Sequence, residues 1–398
     1  MRNVWILTVS MGALAVCYTM LVPFLPVYLM ELNVAEADLP LWSGLIFSVT
    51  FFVAGVMAPI WGRMADNRGK KMMAIRASVC IGISYALMAF VTDVWQLLFM
   101  RAFQGFANGF LPAAMTMVSL SVPQANVGVA LGIFQTGMVI GNVIGPFIGG
   151  TIAAQVGMRP AFVVAGGVLF IVSLIVAFFV KEPTVEELTE AERAGREVTH
   201  GGASLREDWH EVRKNRTLSL LIAMFFIVQG GILMLQPMLA LYIGEMEGTM
   251  DRASVISGTI LSVGGLFGVI TTNLWARFGQ AKGYFNAISS ALTVTGIALF
   301  LQGFEFGIWW FGALQIIIGC CFVGVNPALS AAITTYTDPH FRGRVFGMTT
   351  TAQMMGSMTG PLLASFVTMM FGIRFVFLAA GILFASVGVY LYRNYRTK

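Results

Sequence analysis

The stretch from Gly62 to Lys71 concentrates charged side chains that could form one specific contact. It reads Gly-Arg-Met-Ala-Asp-Asn-Arg-Gly-Lys-Lys, so a single carboxylate, Asp66, stands among Arg63, Arg68, Lys70 and Lys71 and between Gly62 and Gly69. A carboxylate near the positive end of a helix dipole is stabilised by about 0.3–2 kcal/mol. Asp66 could therefore be stabilised at the start of a helix, which is a positioning role and not a catalytic one. The alternative is an ordinary solvated turn residue.

A second candidate is Arg101, the one basic residue deep in an apolar run. Placing an arginine there costs about 2.5–3.5 kcal/mol on insertion scales, so Arg101 should face a cavity or a partner. Arg101, Gly105, Asn108 and Pro112 fall on one helical face, and Gln104 lies beside it. The alternative is an arginine near the outer end of a membrane helix whose side chain reaches the interface.

Proton chemistry in a membrane needs an acid whose pKa can be moved by burial. No Asp or Glu falls in the middle of any apolar run, and Asp93 and Glu305 fall in predicted outer turns. Glu31, one turn beyond Tyr28, is the best candidate for proton coupling. A solvated residue at a helix end is an equally weighted alternative.

Glycines recur every fourth residue along one further run. Gly137, Gly141, Gly145 and Gly149 form this ridge, and Pro146 and Gly150 lie within it. Small residues on one ridge let helices approach closely, and the proline removes a backbone donor and bends the helix. Generic close packing would explain the glycines alone, but it does not explain the added Pro-x-x-Gly-Gly.

Composition places these residues in a membrane. Of the 398 residues, 57% are hydrophobic and 11% are charged, and the mean hydropathy is +0.81. A soluble domain carries roughly 25% charged residues. The net charge of +5 comes from predicted loops, so it does not indicate a nucleic-acid partner. The three histidines are isolated in predicted loops, so we expect neither a metal site nor a cofactor.

The apolar runs predict an all-α membrane protein with twelve transmembrane helices in two pseudo-symmetric six-helix bundles. We expect a bundle over 1–180, a cytoplasmic linker over 181–216 and a second bundle over 217–398. The predicted spans cover residues 4–30, 41–61, 72–91, 96–120, 129–155, 160–180, 217–243, 253–275, 284–303, 306–336, 345–370 and 375–392.

Charge placement predicts the topology. With both termini cytoplasmic, all of the 24 Lys and Arg lie on the cytoplasmic side except Arg101, Arg159, Arg252 and Arg374. An odd number of spans would break the positive-inside rule, because it would separate the basic linker from the basic carboxyl terminus. We therefore expect a multi-pass protein of the cytoplasmic membrane.

The two halves are copies of one another. Met20, Pro23, Tyr28 and Glu31 recur 214 residues later as Met234, Pro237, Tyr242 and Glu245, and Trp61 recurs as Trp275. The shift then becomes 215, which matches Gly141, Gly145 and Pro146 with Gly356, Gly360 and Pro361. Six plus six spans in the same order indicate a parallel repeat, with a substrate path expected between the halves.

These motifs resemble those of the major facilitator superfamily. Gly62–Lys71 resembles the loop after the family's second span, and Arg-x-x-Gln-Gly at Arg101, Gln104 and Gly105 resembles its span-4 motif. The pattern at Gly141, Gly145, Pro146, Gly149 and Gly150 resembles the span-5 motif of twelve-span drug:proton antiporters. The resemblance implies alternating access of two bundles, without enzymatic activity.

The resemblance also implies residue roles. Gly62, Asp66, Arg68, Gly69, Lys70 and Lys71 would form a latch that closes the cytoplasmic side, and Arg101, Gln104, Gly105 and Glu31 would serve proton coupling. Two departures weaken the implied charge relay, because Asn67 replaces the family's usual basic residue and the stretch 122–128 has no acid or base.

An apolar cavity with scattered amides suits a small lipophilic substrate, neutral or weakly cationic. The candidate substrate-binding residues are Tyr28, Asn108, Gln135, Asn142, Gln229, Gln236, Phe322 and Asn326. We expect a monomer in the lipid bilayer that exports such compounds in exchange for protons. The alternatives are a facilitator or a metabolite or lipid exporter that is not proton-driven, and a receptor-like or assembly protein on the same scaffold.

Overall fold

The structure is a computed structural model that describes residues 1–123, 126–182, 211–248, 253–304, 306–338 and 341–395. Within these ranges the side chains of Val22, Asp66, Asn67 and Gly343 lie outside the description. The described residues are overwhelmingly helical and contain no β-strand. This confirms the predicted all-α class.

Contacts divide the chain into two compact units. The first unit is Met1–Arg193 together with Thr249–Ser262, and the second is Ala194–Gly248 together with Val263–Lys398. Most of the predicted linker, residues 183–210, lies outside the described residues. The predicted domain boundaries therefore stay a prediction.

The first six predicted spans form eight α-helices. They are α1 Arg2–Leu21, α2 Leu25–Glu31, α3 Leu39–Arg68, α4 Lys70–Met88, α5 Val94–Ala107, α6 Phe110–Leu120, α7 Val127–Val156 and α8 Met158–Phe179. A 3-10 turn, Val22–Phe24, joins α1 to α2 at Pro23, because proline cannot supply the helical N–H. A second 3-10 turn, Glu36–Asp38, precedes α3.

The second half repeats this order with fewer interruptions. Its helices are α9 Arg216–Glu247, α10 Ala253–Lys282, α11 Tyr284–Gln302, α12 Ile308–Phe322, α13 Val325–Tyr336, α14 Arg342–Phe371 and α15 Arg374–Tyr395. Here Pro237 lies inside the continuous helix α9.

Eleven apolar helical stretches within the described residues are long enough to cross a membrane. The fourth predicted span is the one missing from that set, because it is divided into α5 and α6, which are 14 and 11 residues long. The two helices together cover the predicted span. The break between them lies at Asn108 and Gly109, which have non-helical backbone angles.

The predicted spans 41–61 and 72–91 leave Gly62–Lys71 between them as a ten-residue polar loop, and this prediction was wrong. Helix α3 continues to Arg68, only Gly69 is non-helical, and α4 begins at Lys70. The φ angle of Gly69 is 92°, a left-handed value that glycine adopts without strain. The charged residues of this junction therefore lie in the last turns of α3 and the first turn of α4, and both helices are longer than predicted.

Hydrogen bonds reproduce the sequence duplication inside each unit. The Tyr28 hydroxyl donates to the Met88 carbonyl at 2.7 Å, and the Tyr242 hydroxyl donates to the Gln302 carbonyl at 3.0 Å. Both bonds join residues 60 positions apart, as the 214-residue shift requires. The duplicated tyrosines therefore make the same interhelical hydrogen bond in both halves.

Candidate functional site

The junction between α3 and α4 is stabilised by a residue from the end of the sixth span. The backbone N–H of Lys71 donates to Glu182 Oε1 at 3.3 Å, so a carboxylate lies at the N-terminus of α4. A Cβ atom at Gly69 would contact that same carboxylate. The free N–H groups and dipole of a helix N-terminus favour a negative charge at this position.

The other latch residues lie around this contact. Asp66 is in the last turn of α3, and its side chain lies outside the described residues. Gly62 is exposed, and a Cβ atom there would meet nothing within 4 Å. Arg68 is exposed, and Lys70 and Lys71 are half-buried. The structure thus places these residues together without testing the latch.

Arg101 lies inside the helix bundle, with none of its surface exposed. Its Nη1 donates to Gln104 Oε1, and its Nε donates to the Ile46 carbonyl at 3.4 Å. The guanidinium carbon lies 5.6 Å from the centre of the Phe47 ring. This burial excludes the alternative in which the Arg101 side chain reaches the membrane interface.

The charge of Arg101 is incompletely satisfied. Its Nη2 is shielded from solvent and has no hydrogen-bond partner among the described residues. Its electrostatic neighbours there are the hydroxyl groups of Tyr18 and Tyr85, and no described carboxylate pairs with it. A buried cation without a counter-ion is costly, so this group is a strong candidate for a functional role.

The other half has an uncharged version of the same arrangement. Gln315 stands 214 residues after Arg101, and its Oε1 accepts a hydrogen bond from Gln302 Nε2 at 3.0 Å. Gln302 is buried and also donates to the Phe311 carbonyl at 3.1 Å. An amide pair therefore replaces the buried charge in the second copy.

Gly105 lets α5 approach α3. A Cβ atom at Gly105 would collide with the Thr50 carbonyl oxygen, and the Thr50 hydroxyl donates to the Arg101 carbonyl at 3.1 Å. The predicted face through Arg101, Gly105, Asn108 and Pro112 is wrong beyond Gly105, because α5 ends at Ala107. Asn108 is exposed, and its Oδ1 accepts a hydrogen bond from the Gly109 N–H at 2.8 Å.

Glu31 ends α2 beside a cavity of about 560 Å³, where it is partly enclosed by protein although the residue as a whole is exposed. The cavity walls are mostly apolar residues of α2 and α7, and Glu31 and Ser254 are polar groups in the lining. Burial raises the pKa of Glu31, while a hydrogen bond from the Met158 N–H and the charge of Arg159 partly offset that rise. Arg159 is also held by the Val91 carbonyl, to which its Nη2 donates at 3.2 Å.

The glycine ridge of α7 lies directly against α1. Cβ atoms at Gly141 and Gly149 would collide with the carbonyl oxygens of Gly12 and Met20. Gly145 meets the Val16 carbonyl and the Thr19 hydroxyl in the same way. Gly356 and Gly360 of α14 meet Phe226 and Gly230 of α9 likewise, so both copies use this contact.

The end of the motif contacts the start of α10 within the first unit. A Cβ atom at Gly150 would collide with the Ser254 carbonyl, and one at Gly258 would collide with the Pro146 carbonyl. The Phe147 N–H donates to Ser262 Oγ at 3.0 Å. Pro146 and Gly150 therefore serve a contact different from that of the ridge.

Apart from Asn108, which lies at the end of α5, the candidate substrate-binding residues separate into three groups. Tyr28 is fully buried and bonded to Met88, so its placement favours a packing role and we leave it out of the proposed path. Gln135 and Asn142 are exposed on one face of α7. The residues Gln229, Gln236, Phe322 and Asn326 are half-buried in the second unit. The carbonyl oxygens of Gln236 and Asn326 side chains are shielded and lack partners among the described residues.

Sequence reasoning missed three residues. Glu182 was assigned to the linker, Trp61 was used only as a marker of the repeat, and Arg76 was counted with the cytoplasmic charges. The structure joins Trp61 and Arg76, with the guanidinium carbon 3.6 Å from the centre of the indole ring. The one available signal was an arginine four residues inside a predicted span.

The structure thus combines two copies of one helical unit, a broken span 4 with a buried charge, and a glycine-packed helix pair in each half, a combination that fits a membrane transporter. A family model described as the Major Facilitator Superfamily matches residues 7–300 and 283–398 of the chain. The chain is a member of the major facilitator superfamily, a multi-pass membrane transporter and not an enzyme.

Two relatives match nearly the whole chain. The "Multidrug resistance protein MdtG" of Proteus mirabilis (strain HI4320) is 31% identical over 382 residues, covering 96% of this chain and 92% of that protein. The protein of the same name from Dickeya zeae (strain Ech586) is 30% identical over 398 residues, covering 100% and 95%.

Solved structures share the fold at low identity. The nucleoside transporter NupG has a TM-score of 0.78 and 15% identity, with 100% of both chains covered. A bacterial homologue of the human lysosomal transporter Spinster, in an inward-facing and occupied conformation, has a TM-score of 0.77 and 15% identity, covering 99% of this chain and 96% of that one.

Proposed function

We propose that the protein exports small lipophilic compounds across the cytoplasmic membrane in exchange for protons. The observation that carries this proposal is the match to relatives named as multidrug resistance proteins over nearly the whole length of both chains. The glycine–proline motif of α7 supports it, because its sequence resembles the span-5 motif of drug:proton antiporters. Two bundles alternate in opening a central path.

The proposed binding surface is mostly apolar with few amides. Gln135 and Asn142 supply exposed amides in the first unit, and Gln236 and Asn326 supply partnerless carbonyl oxygens in the second. Such a surface suits lipophilic compounds that carry one or two polar groups. Buried carbonyl oxygens without partners favour a ligand that can donate a hydrogen bond.

The proposed coupling groups are Glu31 and Arg101. Glu31 exchanges its proton at the cavity beside α2, where burial favours the neutral form. Arg101, buried with Gln104 and without a described counter-ion, responds to the charge state of the path. Both termini lie in the cytoplasm, and the protein works as a monomer.

The test is transport by purified protein in proteoliposomes. A panel of radiolabelled lipophilic compounds is followed with and without an imposed pH gradient. Substrate movement that requires the gradient and reverses with it supports exchange for protons. Equal downhill movement in both conditions identifies a facilitator, which the scarcity of acids in the spans favours as the second candidate. No transport of any compound would contradict the proposal.

A further inference from the structure

The break in the fourth span leaves backbone carbonyls without helical partners inside the membrane. Helix α5 ends at Ala107, the ψ angle of Asn108 is 155°, and the φ angle of Gly109 is 137°. The last carbonyls of a helix have no partner within that helix. In hydrocarbon each such group costs several kcal/mol, so another residue must supply the hydrogen bonds.

Two side chains from neighbouring spans supply these bonds. Trp61 Nε1 donates to the Phe106 carbonyl at 2.7 Å. Arg76 Nη2 donates to the Ala107 carbonyl at 3.3 Å and to the Asn108 carbonyl at 3.0 Å. The C-terminus of α5 also carries a partial negative charge. The Arg76 cation is therefore favoured both by its hydrogen bonds to the carbonyls and by its interaction with the helix dipole.

Arg76 is itself held in place by the indole ring of Trp61. The guanidinium carbon lies 3.6 Å from the ring centre, a stacked cation–π geometry. The Nε and Nη1 atoms of Arg76 are shielded from solvent and have no partner among the described residues. A Cβ atom at position 109 would lie 3.2 Å from Nη2 and would crowd it, and the φ angle of Gly109 independently favours glycine.

The second half provides an internal comparison without the cation. Trp275 Nε1 donates to the Cys320 carbonyl at 2.6 Å, which copies the bond from Trp61. The position equivalent to Arg76 is Ser290, and the φ angle of Gly324 between α12 and α13 is −75°, which is a helical value. The tryptophan is thus common to both halves, whereas the arginine and the complete break occur together in one half.

We propose that Arg76 is a positioning residue that maintains the break in span 4, so that α5 and α6 act as two jointed segments. The joint sets the direction of α6 relative to the segment that carries Arg101. Span 10 lacks this joint, because Val323 and Gly324 between α12 and α13 keep helical backbone angles. The proposal concerns the conformation of the chain and does not require that protons be the coupling ion.

Amide hydrogen exchange of the purified protein tests the joint without a substrate. In Arg76→Gln we expect exchange over residues 105–112 to be faster by about tenfold, the effect of losing hydrogen bonds worth about 1.4 kcal/mol. Exchange over residues 320–327 should stay unchanged. The matched control Trp275→Phe should accelerate exchange only over residues 320–327.

Two further variants keep the test decisive if Arg76→Gln does not fold. Arg76→Lys should restore less than half of the protection, because lysine cannot both stack on Trp61 and bridge two carbonyls. Trp61→Phe should give a smaller acceleration over residues 105–112. Protection over 105–112 that equals wild type in all Arg76 and Trp61 variants would overturn the proposal, and so would a uniform acceleration along the chain.

Transport provides the second measurement. Because Arg76 lies on α4 beside the break, we expect Arg76→Gln to lower the maximal transport rate by about tenfold with little change in KM. A changed KM at an unchanged rate would overturn the positioning role. If the wild-type protein transports none of the compounds, the function proposed above fails, while the exchange experiment still decides the role of Arg76.

Discussion

The Glu182 carboxylate accepts a hydrogen bond from the backbone N–H of Lys71 at 3.3 Å. This bond joins the end of the sixth span to the first turn of the third, 111 residues earlier in the chain. Asp66 lies five residues before Lys71 in the sequence, so Glu182 binds at the same junction that carries the predicted latch.

Replacing Glu182 tests this contact. Glu182→Gln removes the charge that interacts with the α4 N-terminus, and we expect the unfolding free energy to fall by about 0.3–1 kcal/mol. Thermal unfolding in detergent at low salt measures the change. Glu211→Gln is the control, because its 4.0 Å contact with Lys214 is an exposed pair and should have no measurable effect. Equal effects of the two variants would argue against the cap.

Asp66→Asn tests the latch that the sequence predicts. We expect export to be lost while the amount of protein in the membrane stays normal, because the variant removes the charge and keeps the size. Transport assays and immunoblots of membrane fractions measure both quantities. Asp38→Asn, in the exposed turn before α3, is the control. Normal export by Asp66→Asn would contradict the latch.

Gly141→Ala tests the contact between α7 and α1. An added Cβ atom would lie 2.7 Å from the Ala15 Cβ and closer still to the Gly12 carbonyl. We expect the variant to be destabilised by about 1–3 kcal/mol, the usual cost of overpacking. Gly132→Ala on the same helix meets nothing within 4 Å and should be neutral or slightly stabilising. Thermal unfolding compares the pair, and similar melting temperatures would refute the close approach.

Arg101→Met tests coupling through the buried charge. We expect the folded protein to remain at least as stable, since an isolated buried charge is costly. Gradient-driven export should be lost, whereas substrate exchange without a gradient should persist. Gln315→Met, at the uncharged copy of this position, is the control for disturbed packing. Export by Arg101→Met at the wild-type rate would remove Arg101 from the proposed mechanism.

Glu31→Gln tests the proton site through its pH dependence. Burial raises the pKa of Glu31, so the wild-type group keeps its proton to a higher pH than an ordinary glutamate does. The favourable contribution of this neutral form is present at low pH and is lost as pH rises through the raised pKa. We therefore expect the variant to lose that pH dependence in both transport and stability. The control is Glu245→Gln at the copied position, and an unchanged pH profile in Glu31→Gln would exclude this site.

The large features of the fold were predictable because they follow from hydrophobicity and repetition. Runs of spanning length gave the helices, and the shift of 214 that relates Tyr28 to Tyr242 also relates their hydrogen bonds. The glycine spacing of α7 predicted close packing, which the backbone contacts with Gly12 and Met20 confirm. Periodicity is a reliable signal wherever one repeated pattern serves one repeated contact.

The details that were missed depend on contacts between distant segments. Polarity predicted a loop at Gly62–Lys71, but α3 continues to Arg68. The local signals in span 4 were weak. Gly109 and Pro112 permit a break, but its exposed carbonyls are stabilised only because Arg76 and Trp61 donate hydrogen bonds to them. Glu182 likewise acquires its role only once α8 lies beside α4.

The contact of α7 with α1 is made through glycines and does not use the amide side chains of Gln135 and Asn142. The crossing of the two helices is set by main-chain atoms, and Gln135 and Asn142 point away from it and are exposed. Side chains at those two positions can thus be exchanged without altering how the helices cross. If the proposed substrate path runs along α7, these two positions could change which compounds bind while the crossing of α1 and α7 stays the same.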